Sequence, residues 1–512
     1  MERAIGNEDF SLDFFNGILF EGKKISLTKE SIEKVQECFK FLEHFSEGKV
    51  IYGITTGFGP MAQHRISDAD RIQLQYNLIR SHCSGVGNHI SPIYVKAGMI
   101  CRLLNILKAK SGIHSECIFL LKDFINNDII PVIYEHGGVG ASGDLVQLSH
   151  LALALIGEGE VYYKGEVVPT ETAMKACNLK PISIYMREGL SLINGTSIMT
   201  GISIVNLIYA KNLFNWTLMA SAIINELVDS YDDGFSKELN SVKAHEGQNE
   251  VASKMRSILK GSSLIKKRHD YLYTRKVTEK VIKEKVQEYY SLRCVPQILG
   301  PVYDTLKNTE HIVINEANSV NDNPIVDVES GNVYHGGNFH GDYISLEMDK
   351  LKIVVTKMTM LAERQLNFLL NPKLNEKFSP FVNLGVLGLN LGMQGAQFTA
   401  TSTTAECQTL SFPNYVHSIP NNNDNQDIVS MGTNSALITR KVIENSYEVL
   451  SIYYISLIQG IDNISVQDKM ASKTRNVYKK LRELVPVFIE DTPKYKEIEA
   501  VKKYLMSNRI AL

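Results

Sequence analysis

Residues 137–144, which read GGVGASGD, contain two patterns that could each perform chemistry. The glycines match the spacing G-x-G-x-x-G, which binds the phosphates of a dinucleotide when it lies between a strand and a helix. The same segment contains Ala141-Ser142-Gly143, whose backbone could close into a ring if the Gly143 nitrogen attacked the Ala141 carbonyl carbon. Loss of water from the ring and from the Ser142 side chain would leave an electrophilic methylidene group. Natural side chains offer nucleophiles, acids and bases, so such an electrophile would add a different chemistry.

A dinucleotide site requires a strand before the glycines, a helix after them and an acid at the end of a second, parallel strand. DIIPVIY and LVQLSHLALALIG satisfy the first two conditions. The acidic residues Glu158 and Glu160 precede the next strand, and that strand turns back at Lys164-Gly165, so it cannot be the parallel partner. Pro131 would also interrupt hydrogen bonding in a central strand. Ring closure and an ordinary loop at a helix start therefore remain as interpretations of the segment alone.

Composition excludes several classes of function. The formal net charge of -2 and the charged fraction of 21% give no electrostatic footprint for nucleic acid or an anionic membrane. No apolar run is long enough to cross a bilayer, and the acidic start MERAIGNEDFSLDFF differs from a signal peptide. Seven scattered cysteines without C-x-x-C speak against a disulfide framework or a zinc site. We therefore expect a cytoplasmic protein that binds no nucleic acid, membrane or metal.

Long apolar segments dominate the second half of the chain. Residues 202–231, 346–370 and 434–462 predict long helices that bury more than one face, which is typical of a helical bundle. Strand signals are short: VIYGI near residue 50, DIIPVIY, and EVYYKGEVVP, which predicts a hairpin. We predict a mainly α fold, a long-helix bundle with a small mixed α/β N-terminal part. Residues 1–200 would form the catalytic part with the tripeptide, and residues 201–512 the bundle and C-terminal helices.

The segment GGVGASGDLVQLSH resembles the signature of the histidine, phenylalanine and tyrosine ammonia-lyases. In that family Ala-Ser-Gly forms a 4-methylidene-imidazol-5-one autocatalytically, without an external cofactor. Further blocks resemble the family in the expected order over nearly the whole chain: YGITTGFGPMA (52–62), LQYNLIRSHCSGVG (74–87), EGLSLINGTS (188–197), VQEYYSLRCVPQ (286–297), NDNP (321–324), GGNFHGDY (336–343) and NNNDNQDIVSMG (421–432). The resemblance implies a fumarase/aspartase-like architecture and a homotetramer whose active sites combine loops of different chains.

The blocks also imply roles for individual residues. Tyr52 matches the base that removes the β proton of the substrate, so it would have to ionise far below the pH at which a free phenol does. Arg293 matches the residue that holds the substrate carboxylate, because a guanidinium fork binds a carboxylate through two N–H groups. The other implied active-site residues are Asn194, which would polarise the ring carbonyl or bind the amine, Tyr290, close to the electrophile, and Gln287, Asn323 and Phe339.

Two blocks carry the signal for the substrate. Histidine lyases have Ser-His at the position of Ser81-His82, but some bacterial tyrosine lyases and tyrosine aminomutases have it too. A neutral His82 can hydrogen-bond a phenol hydroxyl as well as an imidazole. Histidine lyases have Glu where this chain has Gln426, and Gln cannot pair with an imidazolium. We predict elimination of ammonia from L-tyrosine to give trans-4-coumarate, with L-histidine to urocanate as the alternative; L-phenylalanine and a tyrosine aminomutase also remain possible.

Overall fold

Helices dominate the computed structural model, which describes residues 2–274, 276–510 and 512. The helices are α1 (Leu12–Phe20), α2 (Lys29–Phe45), α3 (Arg71–His82), α4 (Pro92–Leu107), α5 (Glu116–Asn126), α6 (Leu145–Leu155), α7 (Thr170–Ala176), α8 (Glu188–Ile193), α9 (Ser197–Leu227), α10 (Lys237–Ser241), α11 (Glu246–Leu259), α12 (Arg268–Leu272), α13 (Tyr290–Arg293), α14 (Val295–Ala317), α15 (Asp342–Leu370), α16 (Pro372–Asn375), α17 (Gln394–Leu410), α18 (Gly432–Ile464), α19 (Ser472–Leu484) and α20 (Tyr495–Ser507). The predicted mainly α fold is confirmed.

The three predicted long helices are present as α9, α15 and α18, and each begins a few residues before its predicted start. Their apolar residues occupy more than one face, so they are buried on several sides. In α18 the side chains of Tyr447, Tyr453 and Tyr454 are all fully buried. A helix with this pattern gains its stability from packing against other helices rather than from its intrinsic propensity.

The β structure is small and mostly antiparallel. The strands are β1 (Glu2–Ile5), β2 (Lys24–Leu27), β3 (Val86–His89), β4 (Ile130–Pro131), β5 (Tyr134–His136), β6 (Glu160–Tyr163), β7 (Glu166–Pro169), β8 (Ile325–Asp327) and β9 (Asn332–Tyr334). They form four sheets, β1-β2, β3-β5, β4-β6-β7 and β8-β9, of which β1-β2 is parallel. The predicted β6-β7 hairpin is confirmed, with Lys164 and Gly165 in the turn at positive φ. Because β4 pairs antiparallel with β6, the chain lacks the parallel pair that a dinucleotide site needs here.

The predicted strand near residue 50 is wrong, because residues 52–55 form a tight turn. The Thr55 hydroxyl accepts a hydrogen bond from the Ile51 N–H at 2.9 Å, and the Thr55 N–H donates to the Ile51 carbonyl at 3.1 Å. Gly53 has a φ of +70°, which a β-branched residue would not adopt. Local side-chain hydrogen bonds and one glycine thus outweigh the β propensity of this segment.

The chain divides into two compact units, each built from three separate segments. Unit 1 comprises Met1–Ile208, Thr309–Asp349 and Pro413–Arg440; unit 2 comprises Tyr209–Asn308, Lys350–Phe412 and Lys441–Leu512. One core cluster of unit 1 joins α2 to the 51–54 turn and the β8-β9 hairpin through Cys38, Leu42, Ile51, Ile54, Met186, Val326 and Val333. In unit 2, Trp216 packs edge-on against Tyr454 at 5.6 Å between ring centroids. The predicted roles of residues 1–200 and 201–512 stay predictions.

Two glycines bring α4 and α9 of unit 1 unusually close together. A Cβ added at Gly201 would lie 2.2 Å from the Gly98 nitrogen, and one added at Gly98 would lie 2.6 Å from the Ile198 side chain. Such distances leave no room for any side chain, so the two backbones pack directly against each other. This packing fixes the start of α9 beside α4.

We expect Gly201→Ala to lower the free energy of unfolding by about 1–3 kcal/mol, because the added methyl group overpacks the α4–α9 contact. Gly395→Ala in α17 is the matched control, since a Cβ there meets nothing within 4 Å. That control should be neutral or stabilising by up to about 1 kcal/mol. Chemical denaturation of both variants measures the difference, and equal stabilities would contradict the close packing.

Candidate active site

The Ala141-Ser142-Gly143 tripeptide lies in a tight bend of unit 1, just before α6. Gly143 has a φ of +70° and pairs with Gly195 as an isolated parallel bridge. A Cβ at Gly143 would lie 2.0 Å from the Gly195 carbonyl oxygen, so only glycine fits. The next N–H, that of Asp144, donates to the same oxygen at 2.8 Å. The backbone at the tripeptide is therefore bent and pressed against a second segment, as closure of its backbone requires.

The segment 429–432 covers the other side of the tripeptide. Ala141 is buried with Val139, Val429 and Met431. The Met431 N–H donates to the Val139 carbonyl at 3.0 Å, and the Ser430 hydroxyl donates to the Gly140 carbonyl at 2.9 Å. Water is thus kept from the Ala141 backbone by packing and by paired polar groups.

Two predicted site residues, Gln426 and Ser142, are in direct contact. The Gln426 amide donates from Nε2 to the Ser142 Oγ at 3.0 Å, across 284 positions of sequence. Gln426 closes a short turn by pairing with Asn421 through two backbone hydrogen bonds. A neutral amide, rather than a carboxylate, therefore lies against the serine hydroxyl.

Asp144, which follows the tripeptide, was not among the predicted site residues, although its carboxyl group is fully buried. The carboxyl accepts hydrogen bonds from the Ile198 and Met199 N–H groups, both at 2.9 Å, and from the Thr433 hydroxyl. Burial raises the pKa of Asp144 to about 6, although these hydrogen bonds and the charge of Arg102 oppose the rise. The carboxyl thus ties the tripeptide to the first turn of α9, where a negative charge is favoured. A sequence signal existed, because an acid directly follows Gly143.

Asn194 ends α8 and is almost fully buried. Its main-chain carbonyl accepts a hydrogen bond from Arg102 Nη1 at 2.9 Å. Its side-chain Oδ1 has no hydrogen-bond partner among the described residues. Because an unpaired buried polar atom costs free energy, Asn194 is suited to a role in which a bound group supplies the missing partner.

Tyr52 lies in the turn that replaces the predicted strand and is half-buried. Its hydroxyl oxygen accepts a hydrogen bond from the Gly59 N–H at 3.0 Å, and its ring meets Phe58 edge-on at 6.0 Å. Its own N–H donates to His335 Nε2 at 3.4 Å. A backbone donor on the phenolic oxygen would also stabilise a negative charge there, since hydrogen bonds to ionised acceptors are the stronger ones.

Ser81 and His82 end α3. His82 Nδ1 lies 3.0 Å from the Leu78 carbonyl oxygen, which can only accept, so Nδ1 carries the proton and Nε2 is left as an acceptor. Ser81 Oγ lies 3.1 Å from the same nitrogen. Burial lowers the pKa of His82, which keeps the ring neutral near pH 7.

Phe339 lies in the loop that follows β9. Asn323 lies just before β8 and contacts the same loop. Asn323 Oδ1 accepts a hydrogen bond from the Gly336 N–H at 2.8 Å, and Phe339 is half-buried. Within the described part of the chain, the hydrogen bonds of Tyr52, His82 and Asn323 go to groups other than residues 141–143. Of the residues predicted in unit 1, the structure joins Gln426 to Ser142 and places Asn194 next to Gly195, which contacts Gly143. The remaining ones lie on other elements: Tyr52, Ser81 and His82, Asn323 and Phe339.

Gln287, Tyr290 and Arg293 form a cluster of their own in unit 2. The Arg293 guanidinium lies 4.6 Å from the Tyr290 ring centroid, a cation–π contact, and donates to the Glu288 carbonyl. Tyr290 is 71% exposed, so this cluster lies at the surface of unit 2. Gln287 and Arg293 also line a cavity of about 580 Å³ together with Asp233, Arg268, Cys294 and Gln297.

Comparison with known proteins identifies the family. The sequence model of the aromatic amino acid lyase family matches residues 10–483. A tyrosine 2,3-aminomutase from Chondromyces crocatus is 38% identical over 488 residues, which cover 94% of this chain and 92% of that protein. A histidine ammonia-lyase from Staphylococcus saprophyticus is 37% identical over 508 residues, 99% of each chain.

The solved tyrosine aminomutase from Streptomyces globisporus superimposes with a TM-score of 0.94 at 33% identity, covering 99% of this chain and 97% of its own. The chain therefore belongs to the aromatic amino acid lyase family, which includes ammonia-lyases and aminomutases. The predicted family and the predicted lyase activity are confirmed.

None of the helices formed by the described residues has the length and apolar character needed to span a bilayer. Among the same residues, no three His, Cys, Asp or Glu side chains gather where they could hold a metal ion.

The raised pKa of Asp144 predicts a pH dependence of stability. Between pH 3.8 and about 6 the folded chain keeps a proton that the unfolded chain releases, so the unfolding free energy falls as pH rises through this window. Asp144→Asn should make this fall smaller, which denaturation at a series of pH values would detect; part of the fall should remain, because burial also raises the pKa values of Glu226, Glu316 and Asp322.

Asp327→Asn is the control, because hydrogen bonds from Lys110 and Ser330 lower the pKa of Asp327 to about 2, outside the window. Between pH 3.8 and about 6, the unfolding free energy of Asp327→Asn should change with pH as steeply as that of the unaltered protein. An Asp144→Asn variant with the unaltered slope would show that the carboxyl does not titrate as described.

Proposed function

We propose that this chain eliminates ammonia from L-tyrosine to give trans-4-coumarate, using a 4-methylidene-imidazol-5-one formed from Ala141-Ser142-Gly143. The observation that carries the proposal is the bend that presses Gly143 against Gly195, where a Cβ would lie 2.0 Å from a carbonyl oxygen. No other residue type fits that bend. Family membership supports the same chemistry.

Ring closure would use only atoms of the chain. The Gly143 nitrogen forms a bond to the Ala141 carbonyl carbon, and that carbonyl oxygen leaves as water with the protons of the Gly143 and Ser142 nitrogens. The Ser142 hydroxyl leaves as a second water with the Ser142 Cα proton. The burial of Ala141 favours this loss of water, because the segment 429–432 excludes solvent. Once formed, the ring supplies an electrophilic carbon that converts the substrate amine into a better leaving group.

The chain's own residues would supply the remaining functions. Tyr52, as its phenolate, would take the β proton on its oxygen, and the Gly59 N–H would stabilise the charge of that phenolate before the proton is transferred. Arg293 would hold the substrate carboxylate through two N–H groups, with Tyr290 and Gln287 beside it. The unpaired Asn194 Oδ1 would accept from the substrate amine.

The tautomer of His82 supports a phenol as the substrate side chain. With Nδ1–H on the Leu78 carbonyl, Nε2 can accept a hydrogen bond, and the hydroxyl of tyrosine is a donor. Gln426 adds no negative charge near Ser142, so an imidazolium would lack a counter-charge there.

Histidine is the second candidate, because a neutral imidazole could also donate to His82 and a relative of 37% identity is a histidine ammonia-lyase. A tyrosine aminomutase is the third, since relatives of that name reach 38% identity.

Exposed apolar groups support a homotetramer with shared active sites. In unit 2, Tyr290 is 71% exposed, and Val386, Leu387, Leu389 and Leu391 are each between 55% and 73% exposed. Apolar groups clustered at a surface mark sites of association. The cytoplasmic location stays a prediction.

Purified protein incubated separately with L-tyrosine, L-histidine and L-phenylalanine should release coumarate as the dominant product, followed by ultraviolet absorbance. Urocanate as the dominant product would overturn the choice of substrate. β-Tyrosine, resolved by chromatography, would identify an aminomutase.

His82→Leu should lower kcat/KM for tyrosine relative to phenylalanine by about tenfold or more, because the phenol loses its acceptor. His44→Leu is the matched control, since His44 makes the same contact with the carbonyl four residues earlier, at 2.8 Å, on an exposed face of α2. An unchanged preference in His82→Leu would contradict the phenol contact.

Ser142→Ala should remove nearly all turnover and leave the fold intact, because the methylidene carbon derives from Ser142. Ser203→Ala is the matched control: Ser203 is also buried, and its hydroxyl only returns to the Met199 carbonyl at 2.7 Å. Full activity in Ser142→Ala would refute the proposed electrophile.

A further inference from the structure

Arg102, on α4, has a fully buried side chain that no step of the proposed reaction uses. Its Nη1 donates to the Asn194 carbonyl at 2.9 Å and to the Ser191 carbonyl at 3.0 Å. Its Nε donates to the Ser197 hydroxyl at 3.0 Å, and its Nη2 to Asn321 Oδ1 at 3.3 Å. One guanidinium therefore gathers the end of α8 and the start of α9, together with the 194–197 turn between them.

The turn lies between this guanidinium and the tripeptide. A Cβ at Gly195 would lie 2.1 Å from Arg102 Nη2, and a Cβ at Gly143 would lie 2.0 Å from the Gly195 carbonyl oxygen. The three groups are thus stacked without free space, in the order Arg102, Gly195, Gly143. The hydrogen bond from the Asp144 N–H to the Gly195 carbonyl fixes the last contact.

Ring closure requires this stack to be rigid, because the Gly143 nitrogen reaches the Ala141 carbonyl carbon only if its backbone cannot relax away. Gly195 cannot provide rigidity by itself, since it adopts a φ of +140° and glycine is the most flexible residue. The planar guanidinium holds five acceptors at fixed angles, the fifth being Asn105 Oδ1 at 3.5 Å, and an ammonium group cannot do this.

Stability alone gives little reason for this arginine. Burying a cation is costly, and packed apolar side chains of similar volume often replace buried charges without loss. Asp322 and Asp144 favour the charge of Arg102, although burial lowers its pKa to about 10. The group therefore stays charged at neutral pH and keeps all its donors.

We infer that Arg102 is a positioning residue for formation of the electrophile: it holds the 194–197 turn against Gly143 while the Gly143 nitrogen bonds to the Ala141 carbonyl carbon. The inference rests on the proposed function, because it concerns closure of the same ring. Arg102 acts through Gly195 and touches neither the substrate nor the reacting atoms.

Arg102→Lys tests the inference, with Arg187→Lys as the matched control. Arg187 is equally buried and donates to the Ser111 carbonyl and, at 3.1 Å, to Asp322, both of which lie outside the 194–197 turn. Both variants keep the charge and lose the fork, so both should melt at lower temperature. Mass spectrometry of the peptide containing residues 141–143, sampled after synthesis, follows closure as the loss of two waters.

We expect closure in Arg102→Lys to slow by about tenfold or more, as for the loss of one charged hydrogen bond, while Arg187→Lys closes at the unaltered rate. Closure at the unaltered rate, or equal slowing in both variants, would overturn the inference. If Arg102→Lys does not fold, Ser197→Ala removes a single acceptor of the guanidinium and should slow closure by a smaller factor; an unaltered rate there would count against the inference.

The unaltered protein separates the two proposals. If its peptide never loses two waters, the proposed function fails. If it does and Arg102→Lys closes equally fast, only the role of Arg102 fails.

Discussion

The direct contact between the Gly143 and Gly195 backbones is the constraint on which the rest of the site depends. Both positions need glycine. A Cβ at Gly143 would lie 2.0 Å from the Gly195 carbonyl oxygen, and a Cβ at Gly195 would lie 2.1 Å from Arg102 Nη2. Glycines are flexible, so the surrounding structure has to make this contact rigid. Asp144, which follows Gly143, does so by accepting hydrogen bonds from the start of α9. A flexible tripeptide is thereby held in one conformation.

Buried charge is the second theme of unit 1. Asp144, Arg102, Arg187 and Asp322 are all fully or almost fully buried, and each makes several hydrogen bonds. Removing a hydrogen-bond partner of a buried charge is costly, so each of these groups fixes the loops that it contacts. Arg102 fixes the turn that contains Asn194, and Asp144 fixes the end of the tripeptide, whereas Arg187 and Asp322 pair with each other elsewhere in the unit.

The sequence predicted the parts that depend on local pattern. Apolar residues on several faces indicated α9, α15 and α18, and the motif at Lys164-Gly165 indicated the β6-β7 hairpin. The strand predicted near residue 50 is absent, because the Thr55 hydroxyl and the left-handed Gly53 outweigh the β propensity of the segment. Arg102 could not be found from spacing, since most of its partners lie far away in sequence, as Asn321 does, whereas the position of Asp144 directly after Gly143 was a signal that the sequence-based predictions did not use. The family blocks placed Gln426 and Ser142 in one predicted site, and the structure joins the two side chains by a hydrogen bond.

The most direct measurement of the central claim is an experimental electron-density map of residues 141–143 in active protein. The account predicts continuous density for a five-membered ring joining the Gly143 nitrogen to the Ala141 carbonyl carbon, with a planar methylidene group at the former serine. An open chain with a tetrahedral serine Cα and an intact hydroxyl, in protein that turns over its substrate, would contradict it.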